Sequence, residues 1–229
     1  MSAILRFPQA LPAATGRARA AEDEHVCHDA AGLAGFFDDL TTVALWTRDV
    51  PPLVAIGERL AATNFQSEFA LEVGTAWSRT LRVELSAAEA LCGADVTRLV
   101  DDVAMLVELF EDLVGARHVG LRLRTLDHSM CPRFHIDRVP LRLLCTYAGP
   151  GTEWLTETDV DRRLLRALVD EDRCDPAMRK GAVVRRAAAG QVALLKGDAW
   201  QNRQGRGAVH RSPAAQSGAA RLLLSLEAL

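Results

Sequence analysis

His135 and Asp137 stand two residues apart in the run CPRFHIDRVP, and a further histidine, His210, stands far downstream in GRGAVHRSP. Imidazole nitrogen and carboxylate oxygen are both metal ligands, and in an extended segment residues i and i+2 project from the same face. The pair can therefore offer two donors to one ion, with a distant strand bringing His210 in as the third. Three protein ligands on one side of a metal leave positions open opposite, the arrangement that oxygen-activating non-haem iron chemistry needs.

Other residues bear on the same site. Cys131 precedes His135 by four residues, and a Cys, His, Asp, His set would close a tetrahedral zinc site with no open position. The alternative is a thiol packed in the turn that Pro132 makes. Arg221 follows His210 by eleven residues and opens the apolar run RLLLSLEAL. Tyr147, the only tyrosine, is expected on the strand face of Leu141, Leu143 and Cys145; its hydroxyl either helps hold a carboxylate-bearing ligand or caps the core edge. Arg142 alternates to the other face and reads as solvated. His25 and His28 flank Cys27 in HVCHD, a weaker metal-catching cluster, and His118 and His128 have no partner at ligand spacing. GPGTEW lacks the G-K-[ST] ending of a phosphate loop and reads as a tight turn.

Composition bounds the setting. The 229 residues are enough for a sizeable core, 49% are apolar and 25% charged, and the formal charge is −3. That balance gives no general attraction to nucleic acid or anionic membrane. No apolar run approaches the roughly 20 residues that cross a bilayer. The five cysteines, at 27, 92, 131, 145 and 174, are odd in number and form no C-x-x-C pair, which argues against a disulfide framework and for a cytoplasmic setting.

Three- and four-residue spacing predicts a helix over 29–48, a second over LVAIGERLAAT behind Pro51 and Pro52, a helix over 65–84, and the clearest over DVTRLVDDVAMLVELFEDLVG, stopped by Gly115. After Gly115 the period changes to two: HVGLRLRTL and VPLRLLCTYAG alternate as strands. ETDVDRRLLRALVDED reads as an inserted helix, and VVRRA, GQVALLKG, GAVHRS and ARLLLSLEAL as short strands. The fold class expected is α+β: a flexible arm over 1–28, a helical region over 29–115, and a metal-binding β region over 116–229, the last two forming one compact unit.

The β half resembles the double-stranded β-helix, the jelly-roll-like barrel of the Fe(II) and 2-oxoglutarate-dependent oxygenases and cupins. His135-x-Asp137 falls where that superfamily has its proximal ligands, Gly197-Asp198 in the following turn, and His210 at the distal ligand. Arg221 falls at the basic residue that pairs with the co-substrate carboxylate. More narrowly, CPRFHIDRVPLRLLCTYAGPGTEWL and KGDAW…GRGAVHRSPA resemble the bacterial domain-of-unknown-function family 1826. Members of that family are often encoded near CobW-type GTPases, which implies a GTPase partner and a role in zinc supply. The resemblance thus implies Fe(II) and 2-oxoglutarate as cofactors of an oxygenase or, alternatively, zinc in a non-catalytic protein of metal homeostasis.

Overall fold

A computed structural model describes residues 23–72, 77–92, 96–116, 118–165, 175–201, 205–214 and 220–229. In chain order the strands are β1 (Glu24–Cys27), β2 (Val43–Trp46), β3 (Gln66–Glu72), β4 (His118–Leu126), β5 (Leu141–Ala148), β6 (Glu153–Leu155), β7 (Arg185–Arg186), β8 (Val192–Lys196), β9 (Val209–Arg211) and β10 (Arg221–Ala228). The α-helices are α1 (Pro51–Ala61), α2 (Trp77–Cys92) and α3 (Thr97–Val114). Seven strands form one sheet in the order β1-β2-β8-β5-β10-β4-β3, and three form a second in the order β7-β6-β9.

Alternation along β4, β5 and β10 divides the large sheet into two apolar faces. Leu121, Leu123, Leu143, Cys145, Leu224 and Leu226 point to the helices and join the main core with Leu99, Val103, Leu106 and Phe110 of α3. The other face carries Leu144, Ala193, Leu195 and Leu223, which pack against Trp154 of the small sheet. The layers are therefore helices, large sheet, small sheet. The large sheet stays open, with β1 and β3 as its edges, so the described strands do not close into the expected barrel.

α1 starts on Pro51 and Pro52 and α3 ends on Gly115 in the left-handed conformation, φ 62°, both as expected. One expectation fails and another holds only in part. The segment 29–48 is not one helix but a 3₁₀ turn over Ala31–Phe37 followed by strand β2. Val43, Ala44 and Leu45 are all buried because both sheet faces are covered there, and such a strand reads as a continuous apolar run with no period of two. Of the helix expected over 65–84, residues 66–72 form β3 instead, ordered by antiparallel pairing with β4 from Gln66↔Arg124 to Glu72↔His118, whereas 77–84 are helical in α2 as expected. The arm over 1–28 also contributes β1, parallel to β2; its residues 1–22 lie outside the described ones. Of the inserted helix only a 3₁₀ turn over Arg162–Leu164 falls among described residues, capped by Asp161, and 166–174 lie outside them. Among the described residues no helix is long and apolar enough to cross a membrane.

Tyr147 occupies the helix-facing side of β5, fully buried, and donates from its hydroxyl to Asp102 Oδ2 at 2.6 Å. Burial pushes its hydroxyl well above the usual range, so it stays a donor. Asp102, on α3, also takes two hydrogen bonds from Arg48, at 2.5 and 2.8 Å. A buried, mutually satisfied triad of this kind ties α3 to the sheet. Tyr147→Phe should therefore cost about 1–3 kcal/mol of stability, the worth of a hydrogen bond to a charged group. Urea denaturation measures the loss, and an unchanged urea midpoint would refute the tie between α3 and the sheet.

Candidate metal centre

Chain 131–137 runs beside chain 210–212. His135 and His210 exchange both backbone hydrogen bonds at 3.0 Å, and Ser212 N–H donates to the Cys131 carbonyl at 2.9 Å. Residues paired in this way place their side chains on the same face, and the two imidazole rings lie 4.5 Å apart. Phe134 is buried in a separate apolar cluster with Leu155, Val160 and Val209, and Ile136 packs on it. The alternation Phe134, His135, Ile136, Asp137 thus anchors one side in an apolar layer and turns the other, with His135 and Asp137, toward the space between the sheets. The i, i+2 reading of H-x-D survives although this segment is extended loop rather than strand.

The carboxylate is placed from behind. Asp198 N–H donates to the Asp137 carbonyl at 2.7 Å and Gly197 N–H to the Pro140 carbonyl at 2.9 Å. A Cβ on Gly197 would run into the Val139 carbonyl oxygen, so the Gly197-Asp198 turn clasps the IDRVP segment only because residue 197 has no side chain. Gly197→Ala should lower stability by about 2–4 kcal/mol, since backbone must shift. The same shift should weaken metal retention, and an unchanged urea midpoint and metal affinity would refute the clasp.

The donor atoms converge. One ligand atom from each of His135, Asp137 and His210 lies within 4.8 Å of the other two. His135 Nε2 is 3.6 Å from Asp137 Oδ1, and His210 Nε2 is 3.3 Å from Asp137 Oδ2. Adjacent ligands on a metal with bonds of about 2.1 Å stand ~3.0–3.4 Å apart, close to these separations. His135 Nδ1 is 2.9 Å from the Arg133 carbonyl and His210 Nδ1 is 3.1 Å from the Ala208 carbonyl. Each Nδ1 therefore carries the proton and donates it to a carbonyl, which leaves both Nε2 lone pairs aimed inward. Two lone pairs facing a carboxylate require a cation between them, a proton or a metal. Without a metal the neighbouring carboxylate raises the His135 imidazole above its ordinary value, with burial opposing. Burial works against ionisation of Asp137, but His135, His210 and Arg142 outweigh it and hold the carboxyl well below the usual range.

Arg142 does not stand in solvent as its alternation suggests. It lies on the site face of β5, its Nη1 3.0 Å from Asp137 Oδ2 without aligning a hydrogen bond on it, and its Nη2 donating to Glu227 at 2.7 Å. A period of two assigns Arg142 to this face; what it leaves out is that a second sheet covers the face. Cys131 is exposed at the cavity rim, and its sulfur is outside the converging set. His25 and His28 are hydrogen-bonded to the Gly32 carbonyl and the Thr47 hydroxyl, Cys27 is buried, and His128 pairs with Asp127.

Arg221 begins β10 on the same face as Leu223 and Ser225, under Gly149, whose φ of 76° lets the chain turn tightly over the arginine's stem. It is 4% exposed, and among the described residues none of its three guanidinium nitrogens has a hydrogen-bond partner. Burial brings its ionisation down to about 10, with the charge of Glu153 opposing. Glu153 itself is engaged by Arg186 and Arg211. A buried guanidinium with every donor idle is costly.

A family model described as protein of unknown function (DUF1826) matches residues 27–227, and the chain belongs to that family. No curated protein matches it in sequence. In structure it is similar to a Shewanella oneidensis protein provisionally described as an oxygenase, with 11% identity, a TM-score of 0.45 and coverage of 90% of this chain and 88% of that one. It is also similar to the rice dioxygenase for auxin oxidation (14%, TM-score 0.41, 82% and 73%). A third similar structure is a full-length Neurospora crassa protein in complex with alpha-KG and 5-formyluracil (11%, TM-score 0.41, 81% and 73%).

Proposed function

We propose that this protein is a mononuclear Fe(II) and 2-oxoglutarate-dependent oxygenase in which His135, Asp137 and His210 bind the metal and Arg221 holds the distal carboxylate of 2-oxoglutarate. The two facing sheets are, in this reading, an opened double-stranded β-helix. What carries the proposal is one pairing of observations: two inward imidazole lone pairs converge with a carboxylate, and on the same inner face a buried arginine has no partner among the described residues. The first needs a cation and the second an anion. A chelating oxyanion co-substrate on a metal supplies both at once.

Ferrous iron with 2-oxoglutarate would supply oxidation of a substrate C–H bond by dioxygen, the co-substrate being decarboxylated in the same turnover. The protein's own part is positional. The Arg133 and Ala208 carbonyls fix the imidazoles, the 197–198 turn and Arg142 fix the carboxylate, and Arg221 fixes the co-substrate's far end. A closed zinc site would ask for a fourth protein ligand, and among the described residues none joins the three.

Elemental analysis of protein purified without a metal-chelating tag, followed by anaerobic calorimetric titration of the Fe(II)-loaded form with 2-oxoglutarate, tests this directly. One metal per chain and saturable co-substrate binding are expected. Tight zinc with no 2-oxoglutarate binding at about millimolar ligand, some −4 kcal/mol, would defeat the oxygenase and favour the zinc protein.

A further inference from the structure

The cavity beside the candidate metal ligands, about 180 Å³, has four arginines among the described residues of its wall, Arg122 and Arg124 of β4, Arg142 of β5 and Arg211 of β9, and no aspartate or glutamate among them. The carboxylates that hold these arginines approach from outside the lining. Arg122 and Arg124 share Glu68 of β3, and Arg122 and Arg142 share Glu227 of β10. Three guanidinium groups thus rest on two carboxylates. Arg142 also approaches Asp137, whose charge belongs to the metal in the oxygenase reading. Each guanidinium has five N–H donors, and these pairings leave several on Arg122 and Arg124 for the cavity. Their side chains are 36% and 33% exposed, so a ligand can reach them.

Arg122 stands apart from Arg221, and Arg124, a diagonal neighbour of Arg221 across the β4–β10 pair, turns its head to Glu68, which stands opposite Arg122. In register, Arg221 lies beside Leu126, Leu223 beside Arg124 and Ser225 beside Arg122. At about 3.3 Å per residue, Ser225 is ~13 Å along β10 from Arg221. The heads of Arg122 and Arg142 gather still farther off, on Glu227. A five-carbon chain with bonds of about 1.5 Å spans only ~5 Å, so a 2-oxoglutarate seated on Arg221 does not reach the Arg122 and Arg124 heads gathered on Glu68. Leu126, Leu144 and Leu223 form apolar wall in the cavity.

We infer that Arg122 and Arg124 form a second oxyanion subsite, and that the substrate is a small molecule with an apolar body and its own carboxylate or phosphate group. The substrate role rests on the oxygenase reading; the anion subsite does not. The size of the cavity admits a small molecule or its head, and the paired arginines suit two oxygens of a carboxylate or phosphate.

Hexanoate and hexyl phosphate, with hexanamide as the neutral control, are titrated calorimetrically into the anaerobic Fe(II) protein saturated with 2-oxoglutarate. At least one oxyanion should bind one per chain, ten-fold or more tighter than hexanamide, and which of the two does so separates carboxylate from phosphate. The double substitution Arg122→Gln, Arg124→Gln should weaken that binding at least ten-fold with metal content and 2-oxoglutarate affinity unchanged. Ser225→Asp keeps every arginine and places a carboxylate opposite Arg122. It should block the probe to a similar degree, which keeps the test alive if the double variant does not fold. Equal binding of oxyanions and amide would overturn the inference, as would stoichiometric displacement of the probe by 2-oxoglutarate, which would leave a single anion site. If 2-oxoglutarate does not bind but the probe does, and the arginine variants lose it, the oxygenase reading fails and the subsite stands.

Discussion

Alanine in place of His135, Asp137 or His210 should each reduce metal affinity by at least about 100-fold, more than the 10- to 100-fold typical of losing an outer-shell partner. The measurement is metal content after dialysis, with affinity from competition against a chromogenic chelator. Far-UV circular dichroism should barely change, because the two histidines are held by their backbones: His135 and His210 exchange N–H···O bonds at 3.0 Å that no side-chain substitution removes. Cys131→Ser is the companion. Its sulfur is exposed and outside the converging atoms, so affinity should stay within about two-fold, as for most surface substitutions away from a site. Full occupancy in His210→Ala would remove the third ligand. A large loss in Cys131→Ser would revive a closed zinc site, since a structural ligand couples metal binding to folding.

The parts of this site that are legible from sequence are those governed by short-range rules. The H-x-D spacing needs only an extended backbone to bring both donors to one face, and His135 and Asp137 meet that condition outside any regular strand. Gly197 can be marked from its place before Asp198 and His210, and the reason for it is a neighbour 58 residues upstream, the Val139 carbonyl, which no local pattern displays. Tyr147 shows the opposite lesson. Alternation with Leu141, Leu143 and Cys145 assigns its face on β5 correctly, but which of the two faces meets the ligand is decided by where α1 and α3 pack. Arg142 sits on the face that matters for the same reason.

The fold is legible where amphipathicity is one-sided. α3, with one buried stripe and a glycine stop, and the half-covered strands β4 and β10 carry clean periods. β2 does not, because it lies inside a sheet covered on both faces and hence lacks alternation. β3 owes its state to the edge it pairs with, and its Glu68 then serves Arg122 and Arg124 of β4, a long-range arrangement that helical spacing in FALEVGTAW conceals. The consequence is functional: both misread segments lie in the sheet that carries the cavity.

Arg221→Ala should raise the 2-oxoglutarate dissociation constant of the Fe(II) protein by roughly 30- to several-thousand-fold, the ~2–5 kcal/mol expected when one side of a desolvated arginine–carboxylate pair is removed. Metal content should not change, because Arg221 contributes no atom to the converging ligand set. Arg221→Lys should recover only part of the affinity, since an ammonium cannot present the parallel donor pair of a guanidinium. A second readout separates a binding role from a packing role. In the free protein this guanidinium is buried with all three nitrogens unpartnered, and burial already lowers its ionisation to about 10. An unpaired buried cation destabilises the fold, so Arg221→Met, which keeps most of the volume and removes the charge, should make the ligand-free protein more stable by about 1–3 kcal/mol. Urea denaturation of the ligand-free wild type and variant measures the gain, and anaerobic calorimetry measures the loss of co-substrate. Stability up and affinity down is the signature of a residue kept for its ligand. If Arg221→Met unfolds more easily than wild type while 2-oxoglutarate binds both equally, Arg221 is a structural residue and the co-substrate must be held elsewhere.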